Sequence, residues 1–235
     1  MNFLKTHDNQ SLEQSHIDKF IAQQTGRIGG GKLIFALDAT ASRGPTWDMA
    51  RGLTGDMIRE AASVGQLEMQ LVFFSGGMDT PRRCASSEWM TDPTRFVRTM
   101  EQVRCESGYT QIAKALEHAV NETMRDRVSA TVLIGDMCEA EGGDNIDRMA
   151  QTAHRLGQLR TPVFAFLEGD DRTAEAAFRK IAELSHGAFG RFDAGGAKQL
   201  GEMLKAAALF AVGGTAALED RKDAASVLLL GQMKR

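Results

Sequence analysis

The feature that most constrains this chain is its repeated alternation of short apolar runs with longer stretches of helical periodicity. Leu33-Ile34-Phe35-Ala36-Leu37 carries no polar residue, so it reads as a strand buried on both faces. Leu67–Phe74, Thr131–Ile134, Val163–Leu167 and Ala188–Phe192 read as further strands. Arg83–Met90 is short and more polar, which suits an edge strand. Helices are predicted between them, over Pro45–Val64, Asp92–Val103, Gln111–Arg125, Asp144–Leu159, Thr173–Leu184 and Ala197–Phe210. Pro45 and Pro93 suit a first helical turn, and Asp92 suits the cap before one. In Gln111–Arg125 the residues Ile112, Ala115, Leu116, Ala119 and Val120 share one face. Alternation of this kind implies an α/β fold: a mostly parallel sheet, covered by helices on both faces and wound with right-handed crossovers.

Three segments follow from the same pattern. Residues 1–31 read as a helical arm, with Leu12, Ile17, Phe20 and Ile21 near one face, followed by a linker rich in glycine. Residues 32–212 form the alternating domain. Residues 213–235 follow the Gly213-Gly214 break and read as a last helix, including Ser226–Leu230. At 235 residues the chain can bury one large core. Its formal charge of -3, with scattered Lys and Arg, leaves no electrostatic footprint for nucleic acid. No apolar run approaches the about 20 residues that span a bilayer, and the N-terminus lacks an apolar signal core. Three cysteines, Cys84, Cys105 and Cys138, are an odd count without close pairs, which argues against a disulfide framework and a structural zinc site. The expectation is a cytoplasmic protein that binds neither nucleic acid nor membrane.

The chemistry concentrates at three separated points. Asp38, Thr40 and Ser42 stand in L-D-A-T-A-S, Thr110 in G-Y-T-Q-I, and Asp136 in L-I-G-D-M. Asp38 and Asp136 each close an apolar run, and ligands of open parallel sheets gather at such strand ends. If the two strands are neighbours, two carboxylates converge, and without a cation one of them would hold a proton. Thr40 and Ser42 alternate, so both hydroxyls can turn to one side. Carboxylates and hydroxyls without a fixed thiol or imidazole partner suit a hard divalent cation, and the incomplete shell favours Mg²⁺ or Mn²⁺ over Ca²⁺. Taken singly, Asp38 and Ser42 are ordinary turn residues, Asp136 can simply open a loop, and Thr110 can cap the helix after it.

In type and order these residues resemble the metal-ion-dependent adhesion site of von Willebrand factor A domains, whose pattern is Asp-x-Ser-x-Ser, a distant Thr and a distant Asp. Thr40 replaces the first Ser and keeps its hydroxyl. Arg43 follows the triplet directly, where an ion pair would compete with metal, and the Asp136 loop lacks the Gly common after that Asp. The resemblance covers roughly residues 32–210 and points to the intracellular bacterial members of the family. It implies a six-stranded, doubly wound sheet with one antiparallel edge strand, Arg83–Met90. It also implies that Thr40 and Ser42 bind the metal directly, that Asp38 and Asp136 act partly through water, and that Thr110 engages when ligand is bound. The ligand would be an Asp or Glu of a partner protein, met at a rim of Arg43, Tyr109 and Glu139. Intracellular members of such families often work with ATPases or chaperone-like assemblies.

The reading is therefore a metal-dependent protein-binding module and not an enzyme. Two alternatives remain: a metal-dependent phosphate-ester hydrolase, which needs a general base that the sequence does not show, and a metal-free scaffold in which Arg43 replaces the cation. Other signals carry less. The glycines of Gly26–Lys32 precede a strand, whereas a phosphate-binding loop follows one. Phe73 stands where a nucleophile elbow needs its first Gly, and Thr40 stands where a haloacid-dehalogenase-type site needs a second Asp. His7, His16, His118, His154 and His186 are isolated. The acidic Glu139, Glu141 and Asp144 read as a solvated loop and helix cap.

Overall fold

The sheet is built outward from its most apolar strand. The computed structural model describes residues 30–75, 83–138, 146–193 and 195–233; the N-terminal arm and Glu139 lie outside them. Strand β1 (Gly31–Asp38) pairs in parallel with β2 (Leu67–Ser75) on one side and with β4 (Ala130–Gly135) on the other. β4 continues to β5 (Val163–Glu168) and then β6 (Ala188–Phe192), all parallel. β3 (Arg83–Ser86) lies antiparallel on the outer side of β2. The order is β3-β2-β1-β4-β5-β6: six strands, one antiparallel at the edge. Every residue of β4 is buried, which requires cover on both faces.

Alternate residues of β1 feed two cores. Leu33, Phe35 and Leu37 pack with α1 (Gly44–Ala62), α2 (Pro93–Gln102) and α6 (Ala197–Arg221), including Trp47, Phe96 and Leu204. The rings of Phe35 and Phe96 meet edge-on at 6.1 Å. Ile34 and Ala36 face the other way, toward α3 (Ile112–Arg125), α4 (Ile146–Gln158) and α5 (Arg172–Leu184), including Leu116, Leu156 and Phe178. A final helix, α7 (Ala224–Met233), packs against α6 and β6.

The predicted edge strand is shorter than its sequence window. Regular pairing stops after Ser86, and Met90 returns for a single bridge to Met69. Between them, Ser87 serves both backbone groups of Leu71. Its N–H donates to Leu71 O at 2.8 Å, and its hydroxyl accepts from Leu71 N–H at 3.0 Å. A side-chain oxygen thus takes the place of a strand carbonyl. The predicted end of α6 at Phe210 also differs. Helical structure continues past Phe210, is interrupted at Gly214 (φ 65°, a conformation glycine adopts at little cost) and resumes to Arg221, so α6 is two helical pieces across a break at the expected glycine pair. By length and composition α6 is apolar enough to cross a membrane. Half of its apolar window is buried inside this domain, where Leu200, Leu204 and Ala207 contribute to the core.

Candidate metal site

Strand order reverses between β1 and β4, the point at which ligands of open parallel sheets gather beyond the carboxyl ends of the strands. Asp38 is the last residue of β1, and Asp136 directly follows β4. Gly135 lies between Asp38 and the Phe178 ring: a Cβ there would be 3.2 Å from Phe178 Cζ, a tight contact, and 3.7 Å from Asp38 Cβ, an ordinary one. The Asp38 loop is pinned on several sides. Trp47 Nε1 donates to Asp38 O at 2.7 Å, and Ala39 N–H donates to Phe74 O at 2.9 Å. Glu106 N–H donates to Ala39 O at 3.0 Å, which brings the loop before Thr110 alongside Thr40. Thr40 N–H donates to Asp38 Oδ1 at 2.8 Å, so the carboxylate closes its own turn.

Among the five expected ligands, Asp38, Thr40 and Thr110 are buried, Asp136 is partly buried and Ser42 is exposed. Thr110 does not cap α3: the residue at the cap is Gln111, whose carbonyl accepts from Ala115 N–H at 3.1 Å. Tyr109 is half-buried. Arg43, expected on the partner-binding rim, is 8% exposed and turned inward. Its position follows from the single 3₁₀ turn Ala41–Arg43 that joins β1 to α1, which is closed by Arg43 N–H donating to Thr40 O at 2.9 Å. Arg43 Nη2 meets Asp136 Oδ2 at 2.7 Å. Its Nη1 meets Glu168 Oε2 at 2.5 Å and donates to Thr46 Oγ1 at 3.2 Å. Thr46 Oγ1 itself donates to the same Glu168 oxygen.

Glu168 and Thr46 were missed by the reading of the sequence. Glu168 ends V-F-A-F-L-E as Asp38 ends L-I-F-A-L-D, so the strand-end rule, applied to every strand, would have found it. Thr46 lies in the first turn of α1, hidden behind the helix-start signal of Pro45.

The electrostatics follow from crowding acids in a buried place. Burial raises the Asp38 carboxyl to about 7; the Thr40 N–H and hydroxyl pull it down, Asp136 pushes it up and Arg43 pulls it down. Burial also raises Asp136, against the pull of Arg43. Asp38 Oδ2 is buried and has no hydrogen-bond partner among the described residues. Cys105 is half-buried, and burial followed by the Asp38 charge raises its thiol, so it stays protonated and weakly nucleophilic at neutral pH.

A hard divalent cation fits this donor set. Asp38 Oδ2 has no donor among the described residues, and the hydroxyls of Thr40, Ser42 and Thr110 would be neutral oxygen ligands. When all are ionised, Asp38, Asp136 and Glu168 outweigh Arg43 by two charges, which one divalent ion balances. Among the described residues no three acidic, histidine or cysteine side chains converge as a metal cage. A cation here would therefore depend on hydroxyls, water and an incoming ligand.

No family model matches the chain, and no curated protein does. Solved structures do. The chain is similar to a von Willebrand factor type A protein from Catenulispora acidiphila, with TM-score 0.56 and 14% identity over 77% of this chain and 43% of that one. It is similar to proximal thread matrix protein 1 of the mussel byssus, solved with zinc in its MIDAS motif, with TM-score 0.59 and 15% identity over 78% and 46%. It is also similar to the von Willebrand factor domain of the type V pilus tip protein of Porphyromonas gingivalis, with TM-score 0.53 and 8% identity over 75% and 95%. The chain thus spans under half the length of the first two and most of the last, an isolated domain. At these identities the likeness is one of backbone path, and it shows that the chain has the fold of a von Willebrand factor A domain.

Proposed function

We propose that this domain is a protein-interaction module that captures an Asp or Glu side chain of a partner through a divalent cation, Mg²⁺ or Mn²⁺. The residues that would hold the ion are Asp38, Thr40, Ser42, Thr110 and Asp136. The observation that carries the reading is Asp38 Oδ2, a buried carboxylate oxygen at the reversal point of the sheet with no partner among the described residues. A cation there supplies the missing positive charge and keeps an open position, which a carboxylate fills better than a neutral group. The zinc-occupied MIDAS motif named for the mussel protein supports divalent binding on this fold. The three free cysteines support a reducing compartment such as the cytoplasm. A partner of ATPase or chaperone-like type rests on the family resemblance alone.

Calorimetric titration with Mg²⁺ and Mn²⁺ tests the reading: one site in the native chain and none in Asp38→Ala is the expected result. An array of Asp- and Glu-containing peptides, probed with and without chelator, then reads the capture step. Turnover of a generic phosphate ester, lost in Asp38→Ala, would move the assignment to hydrolysis. A second reading, a metal-free scaffold, is favoured by the Arg43–Asp136 contact at 2.7 Å. Titration heat that is absent in the native chain decides for it.

A further inference from the structure

We propose that Glu168 and Thr46 form a docking station for Arg43, and that Arg43 releases Asp136 by withdrawing onto this station when a divalent cation enters. The proposal rests on the metal-binding reading above and adds residues to which that reading gives no part.

The guanidinium is held unequally at its two ends. Nη1 has two partners, Glu168 Oε2 at 2.5 Å and Thr46 Oγ1 at 3.2 Å, which are themselves bonded to each other. Nη2 has Asp136 Oδ2 at 2.7 Å. Nε reaches Ser42 Oγ only at 3.4 Å, the limit of a hydrogen bond. A small rotation about the Nη1 end therefore frees Asp136 and leaves the stronger anchor intact. Full departure of Arg43 is disfavoured, because the Glu168 side chain is 11% exposed and would be left as a buried, uncompensated charge.

Charge balance points the same way. Three ionised carboxylates need a divalent ion and the guanidinium together, so Arg43 belongs to the loaded site as well as to the metal-free one. Without metal, the one Arg43 guanidinium is shared between Asp136 and Glu168. With metal, Arg43 neutralises Glu168. Glu168 is then a positioning residue: it sets how readily Asp136 is given up, without itself being a ligand.

The test is Mn²⁺ binding by the full chain at pH 8, read as free ion by electron paramagnetic resonance. It uses the native protein, Glu168→Gln, Arg43→Gln and the double variant. Glu168→Gln leaves Arg43 wholly on Asp136 and should weaken Mn²⁺ about tenfold, within the range of coupled contacts. Arg43→Gln removes the competing cation and should tighten Mn²⁺ by about the same factor. In the Arg43→Gln background, adding Glu168→Gln should change affinity less than about threefold, because Glu168 acts through Arg43. An equal effect of Glu168→Gln in both backgrounds would overturn the station and assign Glu168 a direct charge effect. Equal Mn²⁺ binding by the native chain and Glu168→Gln would overturn the station alone. No Mn²⁺ binding by any variant removes the metal reading, and this proposal with it. If Arg43→Gln fails to fold, Thr46→Val replaces it. That change removes one Nη1 anchor at constant charge, so weakened Mn²⁺ binding supports the station and unchanged binding overturns it.

Discussion

Asp38 concentrates the cost of the site in one side chain. It is 2% exposed, its Oδ1 closes the turn to Thr40, and its Oδ2 has no donor among the described residues. Burial raises its pKa from 3.8 to about 7, so the folded state favours the protonated acid. The resulting stability is complete below the unfolded value near pH 4 and is lost as pH rises through 7. In metal-free buffer the protein should therefore be less stable at pH 8 than at pH 5 through this group. Asp38→Asn, neutral at every pH, should be about 2–4 kcal/mol more stable than the native chain at pH 8 and indistinguishable from it below pH 4, as read from urea midpoints. The same proton opposes metal. Mn²⁺ affinity should fall about tenfold from pH 8 to pH 6, the change in ionised fraction for a group titrating near 7. The types and strand-end positions of Asp38 and Asp136 were legible in the sequence. The inward course of Arg43 was not, because a side chain's direction depends on the neighbours that receive its charge, and one of them, Glu168, is 125 residues away.

At the scale of elements, local chemistry explains most starts and stops. Asp92 accepts from Thr94 N–H at 2.8 Å and opens α2, as the Asp-Pro pair predicts. Asp171 does the same for α5 through Ala174 N–H at 2.7 Å, and Asp171→Ala should cost about 1 kcal/mol in thermal or chemical unfolding. The departures have tertiary causes. Ser87 ends the pairing of β3 by offering Leu71 a side-chain acceptor. The outer edge of β6 is closed by a side chain as well: Gln232 Oε1 accepts from Phe189 N–H and its Nε2 donates to Phe189 O, both at 2.9 Å. That amide from α7 imitates a neighbouring strand and blunts an exposed edge. Gln232→Ala removes two hydrogen bonds and should destabilise the domain by about 1–2 kcal/mol, with increased light scattering on warming as the edge is uncovered.

Across the molecule, one arginine joins three helices. Arg221, near the end of α6, pairs with Glu60 of α1 at 2.8 Å, with Glu202 at 2.9 Å, and with Asp223 just before α7. This network ties the segment after the Gly214 break back to α1 and to the first part of α6. Burial pushes Asp223 up, but the Ser226 N–H and the Arg221 guanidinium outweigh it, so the carboxyl titrates below its ordinary 3.8. A depressed carboxylate contributes stability above its unfolded value and loses it as pH falls through the folded one. Arg221→Gln should destabilise the domain by about 1–3 kcal/mol at pH 7, less at high salt, and should flatten the loss of stability below pH 4. Denaturant titrations between pH 3 and 7 at two salt concentrations check both effects.

The sequence by itself determined the layered α/β architecture, because apolar runs and helical periodicity are local properties that need no partner to be read. It also determined which oxygens stand at the strand ends. The tertiary structure alone decided what those oxygens meet. Sheet order sets β5 beside β4, which brings Glu168 within reach of Arg43, and the 3₁₀ turn after Thr40 sends Arg43 inward between Asp136 and Glu168. Ion pairing acts through space over a few ångströms, whatever the separation along the chain. A carboxylate one strand further along the sheet therefore entered the site without any mark in the motif that announced it.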